Sequence, residues 1–191
     1  MKLANHTRSS FNNLSKTILD KAAKIKLVIF DVDGVLTDGR VYFGSNDVEY
    51  QAFHIHDGLG LKLLQNSGVT VGIITGRNSV NVARRAKELG IELLYQGQSE
   101  KEPAYETLLN QLQLSDEQVA YAGDDLPDLP LIHRAGLGIA VANAVSIVRE
   151  FADWQTETSG GQGAVREICE LIMYAQQTLS TTIASLLPKQ V

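Results

Sequence analysis

Apolar residues fall along this chain in short runs, and between the runs they recur at helical spacing. Five runs read as strands: residues 25–31, 69–75, 92–95, 118–123 and 137–141. Between them, residues 59–66, 79–89, 103–112, 127–134 and 144–151 read as helices. Gly68 and Gly90 stand where helices need a left-handed residue to end. Strands alternating with helices predict an α/β fold, a Rossmann-like parallel sheet flanked by helices. One segment breaks the alternation. Residues 40–43, a polar turn Gly44-Ser45-Asn46-Asp47 and residues 48–53 read as a β-hairpin inserted after the first strand. At about 40–54 it is too short for a second domain. Tyr42, Phe43, Tyr50 and Phe53 on a projecting hairpin need a surface to pack on, and another subunit would supply one.

The ends are less patterned. Residues 1–24 are polar and predict an arm or a short helix ending near Lys24. A single domain is expected over 25–177. Within it, Gly160-Gly161-Gln162-Gly163 reads as a flexible joint before a helix carrying Val165, Ile168, Cys169 and Ile172 on one face. Cys169 on that face is expected to be plain core. The tail, 178–191, spaces Leu179, Ile183, Leu186 and Leu187 almost helically, fit to dock on a partner or to fray.

Composition narrows the class. The 191 residues are 44% hydrophobic and 20% charged, which suits one globular domain with a real core. A net charge of −5 argues against nucleic-acid binding, yet one locally cationic pocket or a metal can still take an anionic substrate. A lone cysteine permits no intrachain disulfide and fits a reducing cytoplasm. No secretory signal is read in the polar N-terminus, and no apolar run approaches the ~20 residues of a membrane span.

The chemistry gathers where strands end. Asp31 and Asp33 follow the run Leu27-Val28-Ile29-Phe30, and Gly34 turns the chain away. If the strand continues through them, residues two apart share a face and both acids address one centre. One can attack while the other moves protons. Alone, the pair is equally an acidic turn. The second strand ends in Thr75-Gly76-Arg77, where a hydroxyl and backbone N–H groups can hold phosphoryl oxygens or simply cap a helix. Lys101 precedes the third helix and could neutralise a phosphoryl oxygen or the acid pair itself, or simply be solvated. The fourth strand ends in Gly123-Asp124-Asp125-Leu126-Pro127-Asp128. With Asp31 and Asp33, this is too much negative charge for one cleft without a hard cation, and oxygen-only ligands suit Mg²⁺. D-x-D, Thr, Lys and G-D-D-x-x-x-D on one sheet edge describe phosphoryl transfer.

These four motifs, Asp31-Val-Asp33-Gly-Val-Leu-Thr, Thr75, Lys101 and Gly123-Asp124-Asp125-Leu-Pro-Asp128, resemble those of the haloacid dehalogenase superfamily over roughly residues 26–176. Phe53-His-Ile-His-Asp-Gly, Tyr95-Gln-Gly-Gln-Ser-Glu-Lys and Gly160-Gly-Gln-Gly-Ala-Val-Arg-Glu are similar to its capless branch acting on 3-deoxy-D-manno-octulosonate 8-phosphate in lipopolysaccharide biosynthesis. The resemblance implies a Mg²⁺-dependent phosphatase that assembles as a tetramer through the hairpin. It implies Asp31 as nucleophile and Asp33 as acid/base. Asp31, the Asp33 carbonyl and Asp124 would be metal ligands, Thr75 and Lys101 phosphate binders, and Asp125 and Asp128 would orient Lys101 or metal-bound waters. His56, Arg77 and, from a neighbouring subunit, Arg166 are the candidate substrate contacts. His56 and Gln162 depart from the branch, which often has Arg at both places. Asp57 is expected to cap the helix at 59–66 rather than join His54 and His56 in a metal site. A phosphatase for a nonulosonate 9-phosphate, or a regulatory module without activity, are the alternatives.

Overall fold

The computed structural model describes residues 11, 13–46 and 48–187. Asp47 of the expected turn, most of the arm before Asn13 and the last four residues of the tail lie outside them.

Six parallel strands form the sheet: β1 (Leu27–Phe30), β4 (Thr70–Ile74), β5 (Leu93–Tyr95), β6 (Val119–Gly123), β7 (Leu137–Ala140) and β8 (Trp154–Gln155). Every residue of β1, β6 and β7 is buried, as helices on both faces of a parallel sheet require. β2 (Tyr42–Phe43) and β3 (Glu49–Tyr50) make the inserted antiparallel hairpin, shorter than the sequence pattern suggested. Phe43 and Tyr50 on it are exposed, while Phe53 leans on the core.

The sheet runs in the order β5-β4-β1-β6-β7-β8. The chain leaves β1 toward β4 and β5, then crosses back to β6 and continues away through β7. Connections therefore diverge between β1 and β6, opening a crevice at the carboxyl ends of those two strands. That is where ligands bind in open α/β sheets. Phe30 is level with Ala122 across this boundary, so the residues just beyond each strand face one another.

The helices largely follow the pattern. α1 (Lys16–Ala22) lies in the N-terminal arm and is capped by Ser15. α3 (Val80–Leu89) is capped by Ser79 and ends on Gly90 at φ +71°, burying Val82, Ala86 and Leu89. α4 (Glu102–Leu112) follows β5, α5 (Leu129–Arg134) follows a 3₁₀ turn at Leu126–Asp128, and α6 (Ser146–Phe151) follows β7. α7 (Ala164–Ala175) buries Val165, Ile168, Cys169 and Ile172, and α8 (Leu179–Ala184) buries Leu179 behind it. Phe11 of the arm stacks 5.5 Å from Tyr174 of α7.

Two expectations fail here. α2 (Ile55–Asn66) starts four residues before the expected helix, with His54 as its N-cap and His56 in its first turn. Asp57 is then inside α2 and caps a different helix. Its Oδ1 accepts the Arg166 N–H, one of the orphan donors in the first turn of α7, at 2.8 Å. Nor is the Gly160–Gly163 segment a loose joint. Gly161 N–H donates to the Val35 carbonyl at 3.0 Å, and Asn143 takes the Gly160 N–H at 2.6 Å. A Cβ on Gly160 would sit 1.8 Å from the Gly34 carbonyl oxygen. These glycines are there for close approach to the acidic turn.

Candidate active site

Asp31 stands one residue beyond β1. Its N–H still bonds the Ala122 carbonyl at 3.0 Å, so the ladder aims it into the crevice. The strand itself stops at Phe30, and the chain folds tightly after Asp31: the Val32 carbonyl accepts from Val35, Leu36 and Thr37. The buried Thr37 hydroxyl closes this turn by accepting from Gly34 and Gly39 and donating to the Val32 carbonyl. Asp33 therefore does not share a strand face with Asp31. The two carboxylates have separate partners.

Lys101, the buried N-cap residue of α4, reaches across to Asp31 Oδ1 at 2.5 Å and to Asp128 Oδ1 at 2.6 Å. Burial alone would lower the lysine's proton affinity, but the two carboxylates outweigh it and hold the ammonium above the usual range. Asp128 is saturated. Its Oδ1 also accepts the buried Tyr121 hydroxyl at 2.6 Å, and its Oδ2 accepts the N–H groups of Asp124 and Asp125. The side chain curls back over Gly123, where a Cβ would lie 2.4 Å from Asp128 Cβ. The G-D-D-x-x-x-D spacing thus folds its last acid over its glycine. Burial, then the Asp128 charge, keeps Tyr121 a protonated donor by raising its hydroxyl well above the ordinary value.

Asp124, just past β6, lays its carboxylate against Gly34. A Cβ on Gly34 would be 2.0 Å from Asp124 Oδ2, and Gly34 adopts φ +92°. One carboxylate oxygen each of Asp31, Asp124 and Asp128 lies within 4.8 Å of the others. Burial and the neighbouring acids raise Asp31 and Asp124 from 3.8 to about 7, with Lys101 opposing both shifts. Three carboxylates face one ammonium, an excess of two negative charges. A divalent cation would neutralise it, and the all-oxygen donor set suits a hard one. Asp31 and Asp124 retain coordination capacity, whereas Asp128 has spent its oxygens on four donors.

The remaining candidates divide. Asp33 Oδ1 accepts Gln51 Nε2 at 3.1 Å and Arg77 Nη1 at 3.5 Å, and Arg77 Nη2 also pairs with Glu49 Oε2 at 2.7 Å. Thr75 is buried at the end of β4 beside β1, its backbone fixed by Tyr95 and Gln98. Asp125 does not reach Lys101. It caps the following 3₁₀ turn through the Leu126 N–H at 2.8 Å, the local bond an aspartate at that position forms most readily. His56 and Arg166 line a separate open groove of about 590 Å³ with Gln162 and Trp154, and none of the acids of the crevice lines it. Arg166 is engaged with Glu170 on its own helix at 2.6 Å. Cys169 is fully buried, and burial pushes its thiol up.

Tyr121, Gln51 and Asn143 escaped the sequence reading. Asn143 bridges the acidic turn to the glycine segment, Nδ2 donating to the Gly34 carbonyl at 2.9 Å while Oδ1 takes Gly160 N–H. Only Tyr121 left a trace, a hydroxyl inside an otherwise apolar strand.

The chain is similar to known proteins in sequence and in fold. A family model described as haloacid dehalogenase-like hydrolase matches residues 91–168. The 3-deoxy-D-manno-octulosonate 8-phosphate phosphatase of Yersinia pestis is 46% identical over 169 residues, 88% of this chain and 90% of that one. A probable YrbI family phosphatase from Pseudomonas syringae superposes with TM-score 0.90 at 53% identity, over 92% of this chain and 100% of that one. The Moraxella catarrhalis 3-deoxy-D-manno-octulosonate 8-phosphate phosphatase, crystallised with magnesium, phosphate and KDO, superposes with TM-score 0.89 at 46% identity, over 91% of this chain and 100% of that one.

Proposed function

Because this chain belongs to the haloacid dehalogenase-like hydrolases, we propose that it hydrolyses 3-deoxy-D-manno-octulosonate 8-phosphate to the free sugar acid and phosphate. The observation that carries the reading is the crevice between β1 and β6. There Lys101 bridges Asp31 and Asp128 while Asp124 lies against Gly34. Two anions, a carboxylate and a phosphate, can meet there only against positive charge, of which Lys101 supplies one unit and a divalent cation would supply the rest.

Asp31 attacks phosphorus, displacing the sugar oxygen and forming an aspartyl-phosphate. Asp33 gives its proton to the departing oxygen, then takes one from the water that splits the intermediate. Lys101 and Thr75 hold phosphoryl oxygens. Asp128 keeps Lys101 aimed, itself held by Tyr121 and two backbone N–H groups. Mg²⁺, held by Asp31, the Asp33 carbonyl and Asp124, would supply charge neutralisation and keep the nucleophile ionised.

The substrate assignment is supported by relatives of that name at 46% identity over nearly their whole length. The Moraxella catarrhalis relative, which carries KDO in its crystal structure, supports it further. Arg77 is the candidate partner for the substrate carboxylate, exchanging Glu49 for it. His56 and Arg166 would reach substrate only across a subunit boundary, since they lie away from the acids in one chain. The exposed hairpin faces of Phe43 and Tyr50 support assembly, which we assign as a homotetramer. The reading places the enzyme in the cytoplasm, in lipopolysaccharide biosynthesis. Among the described residues no helix is long and apolar enough to cross a membrane.

A panel of sugar-acid phosphates with Mg²⁺, ranked by kcat/KM, tests the substrate. The octulosonate 8-phosphate should lead. A nonulosonate 9-phosphate in first place would reassign it, and no phosphate release from any member would return the chain to a regulatory role.

A further inference from the structure

The segment returning from the hairpin is hooked at three points onto the loop and first turn after β4. Arg77 Nη2 donates to Glu49 Oε2 at 2.7 Å, Ser79 Oγ to Gln51 Oε1 at 2.7 Å and Asn81 Nδ2 to the Glu49 carbonyl at 3.0 Å. Ser79 is also the N-cap of α3, its oxygen accepting the N–H groups of Asn81 and Val82. Its single hydroxyl proton is thereby directed at Gln51. This settles which end of the Gln51 amide is which. The carbonyl oxygen faces Ser79, so the NH₂ faces Asp33 and donates to Oδ1 at 3.1 Å. Arg77 Nη1 reaches the same Oδ1 at 3.5 Å. Both donors converge on one carboxylate oxygen, and the other is left for the proton.

We propose that Gln51 is a positioning residue for proton transfer to the leaving group: by occupying Oδ1 it presents Oδ2 of Asp33 to the departing oxygen. The inference rests on the reading of Asp33 as general acid. In the step, the phosphorus–oxygen bond breaks and its electron pair takes the proton from Oδ2. The new negative charge on Asp33 is met at Oδ1 by the Gln51 N–H and the Arg77 guanidinium. The hairpin, besides projecting outward, is thus tied to the chemistry through its return strand. Without Gln51 only the longer Arg77 contact holds Oδ1, so the carboxyl can turn its protonated oxygen away, and general acid catalysis weakens while attack by Asp31 does not.

The test is leaving-group dependence. Aryl phosphates graded from nitrophenyl to methoxyphenyl share their binding contacts but need the proton to different degrees. Reading kcat/KM keeps the measurement on the first chemical step and excludes the later hydrolysis of the intermediate. Gln51→Ala should stay within about threefold of the parent on the nitrophenyl ester and lose about tenfold or more on the methoxyphenyl ester. Gln51→Glu, which can still accept from Ser79 but has no N–H for Asp33, should show at least as steep a dependence. Asp33→Asn sets the steepest slope. A uniform loss across the series in Gln51→Ala, no loss at all, or a Gln51→Glu variant matching the parent would each overturn the inference and leave the phosphatase reading intact. A flat series in Asp33→Asn, or no hydrolysis by the parent enzyme, would overturn the reading of Asp33 itself and the inference with it.

Discussion

Gly34 shows how much of this site is set by the absence of a side chain. Its φ of +92° lies where L residues are strained, and the space a Cβ would fill holds the Asp124 carboxylate. Gly34→Ala should therefore move Asp124 as well as the turn. The expected result is a stability loss on the order of 1–3 kcal/mol by chemical denaturation, together with a higher Mg²⁺ concentration for half-maximal activity. A variant with unchanged Mg²⁺ dependence would mean that Asp124 tolerates the displacement. The acids themselves were legible in the sequence because each follows a buried strand. Their supporting residues were not. Tyr121 meets Asp128 only because the chain curls back over Gly123, and Gln51 meets Asp33 only because the hairpin folds home. Asn143 finds Gly34 across more than a hundred residues. Spacing in the sequence carries no trace of such pairings.

At the scale of elements, five of the six parallel strands could be read in advance because strands buried on both faces are runs of apolar residues. β8 could not: it is two residues long, at the edge of the sheet, and half of it is exposed. The early start of α2 was hidden because its first residues, Ile55 and His56, are exposed and His54 caps it without a side-chain bond. Asp57-Gly58 imitated a helix start while capping α7 from the side. The glycine segment before α7 is the sharpest correction, since flexibility was expected and close packing was found. Gly160→Ala would drive a methyl into the Gly34 carbonyl, backbone that cannot yield without moving the acidic turn. It should cost about 1–3 kcal/mol and depress kcat with it. Wild-type stability and turnover would show that the segment is slack after all.

The whole molecule carries a charge imbalance in its crevice, and the imbalance predicts how stability depends on pH. Burial, reinforced by neighbouring acids, raises Asp31 and Asp124 from 3.8 to about 7 when no metal is bound. Between those values the folded chain keeps protons that the unfolded chain has released. Stability from these groups is therefore lost as pH rises through that window. The metal-free protein should melt at a lower temperature near pH 8 than near pH 6. Mg²⁺ should raise Tm more at the higher pH, where no proton competes for the carboxylates. Equal Mg²⁺ stabilisation at both pH values would remove these two carboxylates from the metal site.

The proposed mechanism converges on one oxygen nucleophile at the end of β1, and trapping the intermediate tests it directly. The enzyme, turning over 3-deoxy-D-manno-octulosonate 8-phosphate with Mg²⁺, is quenched and reduced with borohydride, which converts an aspartyl-phosphate to homoserine. Peptide mapping by mass spectrometry should find homoserine at residue 31 in the parent protein and nowhere in Asp31→Asn, which should also release no phosphate. Steady phosphate release with Asp31 unmodified, or with the mark on another residue, would contradict the account.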